Sequence, residues 1–564
     1  MKDTRIRIYT LLDYETFYEK RELPKINSLI QNIPSLTLIN YISGFNLNLY
    51  LRENDENTGK IQFTLANSLL SKCSNSTQQK WATQIKKLGK KGHSPFFIYS
   101  LSNLIFYEKI FENFNDKDGR DLTSEEAQRV FDIYLLINSG VNKKIDAKAD
   151  EIKKLGQSGL IEKFTLTNFI YQKDYASSLD FSNQLTRGVE FFKYLENSNR
   201  FSQILQDYYK EKKVSDYKEM FQNLLWIFSN SGIEKDWRTQ LIQISEVDKN
   251  YLNLHYLKSL FINGSISNYS SDNSFSILRN QFLFTLNKSQ FFILHIDFLF
   301  DHFYKSQVFS FNKYLQDKSI TKDFLSIKAK EFMEEIYVPE IFKRCFPQHI
   351  LFFGEDCVNS SKEELCDIYV REKDKILLSE FKDVMLNAKS KNSQNESFLF
   401  EELEKKFEKN QNNKPKGITQ LLNSIQTIEE ESINFDPNLP NSILKIYPVI
   451  IYTDISFSLD GINKTFKNKF KENLQKLKIK NIQVNDITFI NLSFFEFQEN
   501  NLAANQIEVF ELIDKYHEYC LQPEFALTPF EIFVRYYFEQ NINSEENQPS
   551  QSNFYKTTLK EILK

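Results

Sequence analysis

Residues 366–384 read Cys-Asp-Ile-Tyr-Val-Arg-Glu-Lys-Asp-Lys-Ile-Leu-Leu-Ser-Glu-Phe-Lys-Asp-Val. Two apolar runs, 368–370 and 376–378, flank the charged stretch 372–375. That pattern predicts a β-hairpin with a four-residue loop. Centring the loop between Lys373 and Asp374 sets Arg371 opposite Ile376, Val370 opposite Leu377 and Asp367 opposite Glu380. Directly opposed residues share a face, with Cβ atoms roughly 5 Å apart. Two carboxylates so placed repel, and a folded chain tolerates them most readily with a cation between them. Strand side chains alternate, so Lys382 shares the face of Glu380 while Phe381 points into the core.

Asp367 followed by Glu380-Phe381-Lys382 resembles the motif of the PD-(D/E)xK nuclease superfamily, the restriction-endonuclease-like fold. There an acid opens one strand and an acid-x-lysine follows in the next. Cys366 stands where those proteins usually carry proline. The resemblance spans about residues 321–495 and leaves the other two-thirds of the chain unmatched. It implies an α/β nuclease core, a mixed sheet flanked by helices. It also implies Mg²⁺ held by Asp367, Glu380 and the main-chain carbonyl of Phe381, with Mn²⁺ able to substitute. Lys382 would then orient or deprotonate the attacking water. A glutamate on the helix before the first strand commonly joins such a site. Glu335, followed by Val338 and Ile341 at threes, fits best, with Glu334 and Glu331 as rivals. On the helix after the acid-x-lysine strand, a glutamine or lysine often supports the catalytic groups, here Gln420 or Lys416.

The flanking sequence predicts the same order of elements. A helix over 321–338 is capped by Thr321 or Asp323 and ended by Pro339. Strands follow at 349–353, in the hairpin, at 446–452 and at 487–492. The run 446–452 is apolar on both faces of its pleat, which predicts helices on both sides of the sheet. This nuclease-like domain, 321–500, is followed by C-terminal helices and tail over 501–564. Helices are predicted there at 503–519 and 528–540, with a polar linker at 541–553.

Ahead of it, residues 1–120 suggest a small α+β or mixed lobe, with extended candidates at 5–10, 36–42, 47–51 and 61–65. The basic run from Lys86 to His93 reads as a loop that could touch phosphate, though such a run is more often only solvated surface. Residues 113–126 imitate a calcium loop, but Phe114 would occupy the first ligand position and cannot ligate. Thr123 and Glu126 instead form a capping box that opens a helix. Residues 121–320 form a mostly α-helical domain, because Phe164, Phe169, Phe191, Phe192, Leu195, Tyr208, Phe221, Leu224 and Phe228 recur at threes and fours.

The 564-residue chain carries a formal net charge of −4, so it is no polycation and any nucleic-acid contact must come from a local patch. The five cysteines include no CxxC pair, which argues against structural zinc and a disulfide framework. No P-loop motif is present. No apolar run approaches the length of about 20 residues needed to span a bilayer, and the start lacks a signal-peptide stretch. A soluble cytoplasmic protein without membrane contact is expected.

Two functional readings follow. One is a metal-dependent DNA endonuclease, with the effector of a prokaryotic defence or restriction system as the setting suggested by fold-level analogy. Its helical N-terminal region would meet a trigger or protein partner. The other is a non-catalytic nucleic-acid-binding or interaction subunit with a nuclease-like sheet. RNA cleavage is a weaker variant of the first.

Overall fold

The computed structural model describes residues 8–19, 22–50, 55–155, 180–231, 240–272, 274–393, 395–430, 433–541 and 552–564. Phe164, Phe169 and most of the 541–553 linker lie outside the described residues. The chain divides into two compact units, one of residues 1–150 and 175–311, the other chiefly 312–562.

The first unit is mostly helical. Strand β1 (Ile8–Leu11) pairs in parallel with β2 (His93–Phe96). The stretches 36–42, 47–51 and 61–65, expected to be extended, belong largely to the helices Ser35–Tyr50 and Asp55–Leu70. Leu38, Ile42, Phe45 and Leu49 are buried at spacings of three and four, the helical period rather than the strand period. Lys86, Lys87 and Lys90 are likewise not in a loop. They close the helix Asn75–Lys90, where positive charge complements the helix dipole. The helix Ser124–Leu155 opens with the expected capping box. Thr123 N–H donates to Glu126 at 3.0 Å, and Glu126 N–H donates to the Thr123 hydroxyl at 3.3 Å. Within the helical stretch lies a small antiparallel sheet of β3 (Leu241–Gln243), β4 (Leu283–Thr285) and β5 (Gln290–Ile293), ordered β3–β5–β4. Strands of three and four residues are too short for their alternation to be read.

The second unit is built on a mixed sheet. Its strands are β6 (Ile350–Phe353), β7 (Ile368–Glu372), β8 (Lys375–Lys382), β9 (Lys445–Tyr452), β10 (Gln483–Val484) and β11 (Thr488–Asn491). The order is β6–β7–β8–β9, with β10 and β11 each pairing with β9. β6, β7 and β8 are antiparallel, while β8–β9, β9–β10 and β9–β11 are parallel. Residues 446–452 of β9 are all buried, as a strand covered on both faces must be. The chain crosses from β8 to β9 through the helices Glu396–Phe407 and Gly417–Glu430. The predicted 503–519 helix is shorter, Val509–Tyr519, and an unpredicted helix, Leu492–Ala503, precedes it; Phe530–Asn541 and Asn553–Leu563 follow.

The helix ahead of β6 does not stop at Pro339. It runs from Phe324 through a π-helical stretch, Lys328–Tyr337, into Val338–Cys345. Proline lacks an N–H and its ring presses on the carbonyl four residues back. Here Pro339 directly follows the π stretch, as the second residue of Val338–Cys345. Among the described residues, no helix is long and apolar enough to cross a membrane.

Candidate active site

The hairpin has the expected register. Ile368 opposes Ser379, Val370 opposes Leu377, Arg371 opposes Ile376 and Glu372 opposes Lys375. Because that last pair forms, the loop is two residues rather than four, with Lys373 at φ 55°. Near the tip, Arg371 and Tyr369 both donate to the buried Asp436 carboxylate, at 2.9 and 2.8 Å.

At the other end β7 begins only at Ile368, so the ladder lacks a main-chain acceptor for Phe381 N–H. The Asp367 carboxylate supplies it, at 2.7 Å. Main-chain bonds from Asp367 N–H to Ser379 and from Gly354 N–H to Asp367 hold the acid's backbone, at 3.1 and 3.0 Å. Lys382 Nζ lies 2.6 Å from Glu380 and 3.6 Å from Asp367. Glu380, Lys382 and Asp367 side chains are 3%, 11% and 17% exposed, so Glu380 is the floor of the cluster and Asp367 lies nearer its mouth. Phe381 is buried. In an extended strand the N–H and C=O of one residue point the same way, so the Phe381 carbonyl opens toward Asp367.

Burial, and next the Asp367 carboxylate, push Glu380 up to about 8, with Lys382 partly offsetting them. Burial alone would lower Lys382, but Glu380 and Asp367 outweigh it and hold the ammonium's pKa raised. Burial comes first for Glu380, but the surrounding carboxylates push both groups the same way, so the cluster retains its protons.

Of the three candidate helix acids, Glu335 points most toward solvent. Its side chain is 53% exposed and lies 4.0 Å from Lys330. Glu334 sits closer in, with a side chain 25% exposed and 3.6 Å from Lys330 Nζ. Burial and then Asp367 push it up to about 7, against the opposing charges of Lys330 and Lys382. Glu331 is half-buried one turn earlier. Gln420 does not join this set by its side-chain oxygen, which instead accepts the Gly417 N–H at 2.8 Å and caps its own helix. That helix starts on a glycine at φ +40°, leaving an early N–H for a side chain to satisfy. Lys416 is exposed beside it.

Two residues of the cluster were not foreseen. Glu364, from the loop before β7, is raised by burial and by Asp367, with Lys330 and Lys382 opposing. Lys330 is tied electrostatically to Glu334, Glu364 and Asp367. Nothing in the sequence separates Glu364 from Glu363, or Lys330 from its lysine neighbours.

Among the described residues, no three His, Cys, Asp or Glu side chains are drawn together into a metal cage. Mg²⁺ needs no such cage, since it binds through one or two carboxylates and keeps waters. Asp367 and Glu380 offer hard oxygen donors of that kind. Glu334, Glu364, Asp367 and Glu380, set against Lys330 and Lys382, leave two negative charges uncompensated when all are ionised. A divalent cation fits that deficit. Among known proteins, no family model, no curated protein and no solved structure matches the chain.

Proposed function

We propose that the protein is a metal-dependent nuclease that hydrolyses phosphodiester bonds in DNA. One observation carries the reading. Two acids and a lysine from adjacent strands converge on one face, and a glutamate from a distant helix is electrostatically coupled to them. A hairpin with a merely solvated charged face gives no reason to bury Glu380 or to bring Glu334 to the same place.

In this reading Asp367, Glu380 and the Phe381 carbonyl hold Mg²⁺. When bound, the ion supplies an activated water and neutralises charge on the phosphate. Lys382, its proton held by two carboxylates, acts as a hydrogen-bond donor and not as a base. It orients the water or a phosphate oxygen. Glu334, more exposed than Glu380, takes up a proton from the water. The Asp367–Phe381 hydrogen bond keeps the first acid in place, so little reorganisation is needed when substrate arrives. DNA as substrate, and a setting in prokaryotic defence with a partner at the helical unit, rest on the resemblance of the hairpin motif.

The test is incubation of the purified full chain with plasmid, linear and single-stranded DNA, and RNA, in Mg²⁺, Mn²⁺ or EDTA. Cleavage of DNA in either metal, and none in EDTA, is the expected result. Intact DNA under every metal condition overturns the reading in favour of a binding subunit, and cleavage of RNA alone corrects the substrate.

A further inference from the structure

Lys382 and Lys330 face the carboxylate cluster and Lys328 lies two residues before Lys330, and the surroundings of the three differ. Lys382 is bonded to Glu380 at 2.6 Å and is almost sealed from solvent. Lys328, on the π-helical stretch, is ion-paired with Asp383, both side chains being under a tenth exposed. Thr453 also donates to Asp383, at 2.7 Å, so that pair is fixed. Lys330 alone of the three is half-exposed, at 49%. Its nearest carboxylates are Glu334 at 3.6 Å and Glu335 at 4.0 Å, and Glu364 and Asp367 act on it as well.

Exposure rises from Glu380 through Lys382, Asp367 and Glu334 to Lys330 and Glu335. The cluster therefore opens along the π-helical stretch, and Lys330 stands at the mouth. Apart from Lys330 the mouth is acidic, lined by Glu334, Glu335 and Glu364. A DNA strand carries a negative charge at every phosphate and would be repelled there. We propose that Lys330 is a substrate-positioning residue, exchanging its contacts with Glu334 and Glu335 for a backbone phosphate beside the bond to be cleaved. This rests on the nuclease reading.

A lysine on a phosphate makes a sequence-independent contact and releases about one counterion. The experiment is fluorescence anisotropy of a labelled DNA duplex titrated with the full chain, across a range of KCl, with Ca²⁺ in place of Mg²⁺. Single-stranded DNA and RNA serve as further probes. Lys330→Ala is expected to weaken duplex binding several-fold on every sequence tried and to lower the log–log salt slope by about one. Lys330→Arg is expected to keep both. Circular dichroism checks that each variant folds, which the exposed position permits. A Lys330→Ala protein with the parent's affinity and salt slope overturns the inference and leaves the nuclease reading standing. A parent protein that binds and cleaves no nucleic acid overturns both.

Discussion

The surplus of negative charge in the cluster makes stability depend on pH in a direction that can be worked out. Glu380 is 2% exposed, and burial with the Asp367 charge raises it from an ordinary 4.5 to about 8. Between those values the folded, metal-free protein holds a proton that the unfolded chain has released. Stability of the second unit therefore falls as pH rises through that window. One proton is worth at most about 1.4 kcal/mol per pH unit, so about 2 kcal/mol is lost between about pH 5.5 and about pH 7.5. Glu334 and Glu364 are raised too and add to the slope, so the informative quantity is the difference between the parent and Glu380→Gln. The variant keeps an acceptor for Lys382 and loses the titration. Trp81 and Trp226 belong to the first unit and do not report on the second. Cys345, Cys357 and Cys366 are fully buried in the second unit. Thiol labelling along a denaturant series in EDTA, mapped by peptide to these three cysteines and away from Cys73 of the first unit, therefore reads the unfolding of that unit. The parent should lose stability with rising pH more steeply than the variant. Saturating Mg²⁺ should stabilise the parent more than the variant, and more at higher pH, because ligating carboxylates must be ionised. Parallel pH profiles for the two proteins in EDTA would refute the electrostatic account of the cluster.

Other expectations follow from the same geometry. Asp367→Asn and Lys382→Ala should each lower plasmid nicking at least about a hundredfold while the protein stays folded, since Asn still offers an acceptor to Phe381 N–H. Glu334→Gln should lower nicking about tenfold or more, and Glu335→Gln, at an exposed position, should stay within about twofold of the parent. In the first unit, burial holds His295 down to about 3, with Asp301 opposing. Below the ordinary value of 6.5 the unfolded chain takes up a proton that the folded one refuses. Stability should drop as pH falls from about 6.5, by up to about 1.4 kcal/mol per unit, and His295→Gln should flatten the fall. Tryptophan fluorescence during denaturation reads this directly.

How much of this was legible in the sequence depended on the length of each signal. The hairpin was readable because two apolar runs of equal length flank one charged stretch, so a single register buries both. That register alone brings Asp367, Glu380 and Lys382 to one face. β9 was readable because an eight-residue strand buried on both sides can hardly be anything else. In the first unit residues 36–42 and 47–51 are helical although apolar residues are so dense there that short windows look extended. Only the longer rhythm of Leu38, Ile42, Phe45 and Leu49 reveals the helix. Gln420 was read as a site residue from its place after the acid-x-lysine strand. Helix starts leave N–H groups to be satisfied, and a side chain near one more readily serves that local need.

The outward position of Glu335 has a more particular origin. Counting back by threes from Ile341 and Val338 selects Glu335, and that count assumes α-helical winding up to Pro339. The chain instead carries a π stretch, in which Val338 N–H bonds to Met333, five residues back. The buried positions follow the wider turn, passing from Lys328 to Phe332 and Met333 and on to Tyr337 and Val338, in steps of four and five. A residue counted inward on an α-helix is rotated outward when the turn widens, and its predecessor takes its place. Glu335 thereby moves to solvent and Glu334 to the carboxylates. π-helical turns are rare and cluster at functional sites, where they re-aim a side chain that regular winding would misdirect. The paired substitutions at 334 and 335 therefore test the winding as well as the chemistry. If Glu335→Gln proves the damaging one, the helix passes the cluster in regular α-geometry when substrate is bound, and the π stretch belongs only to the free protein.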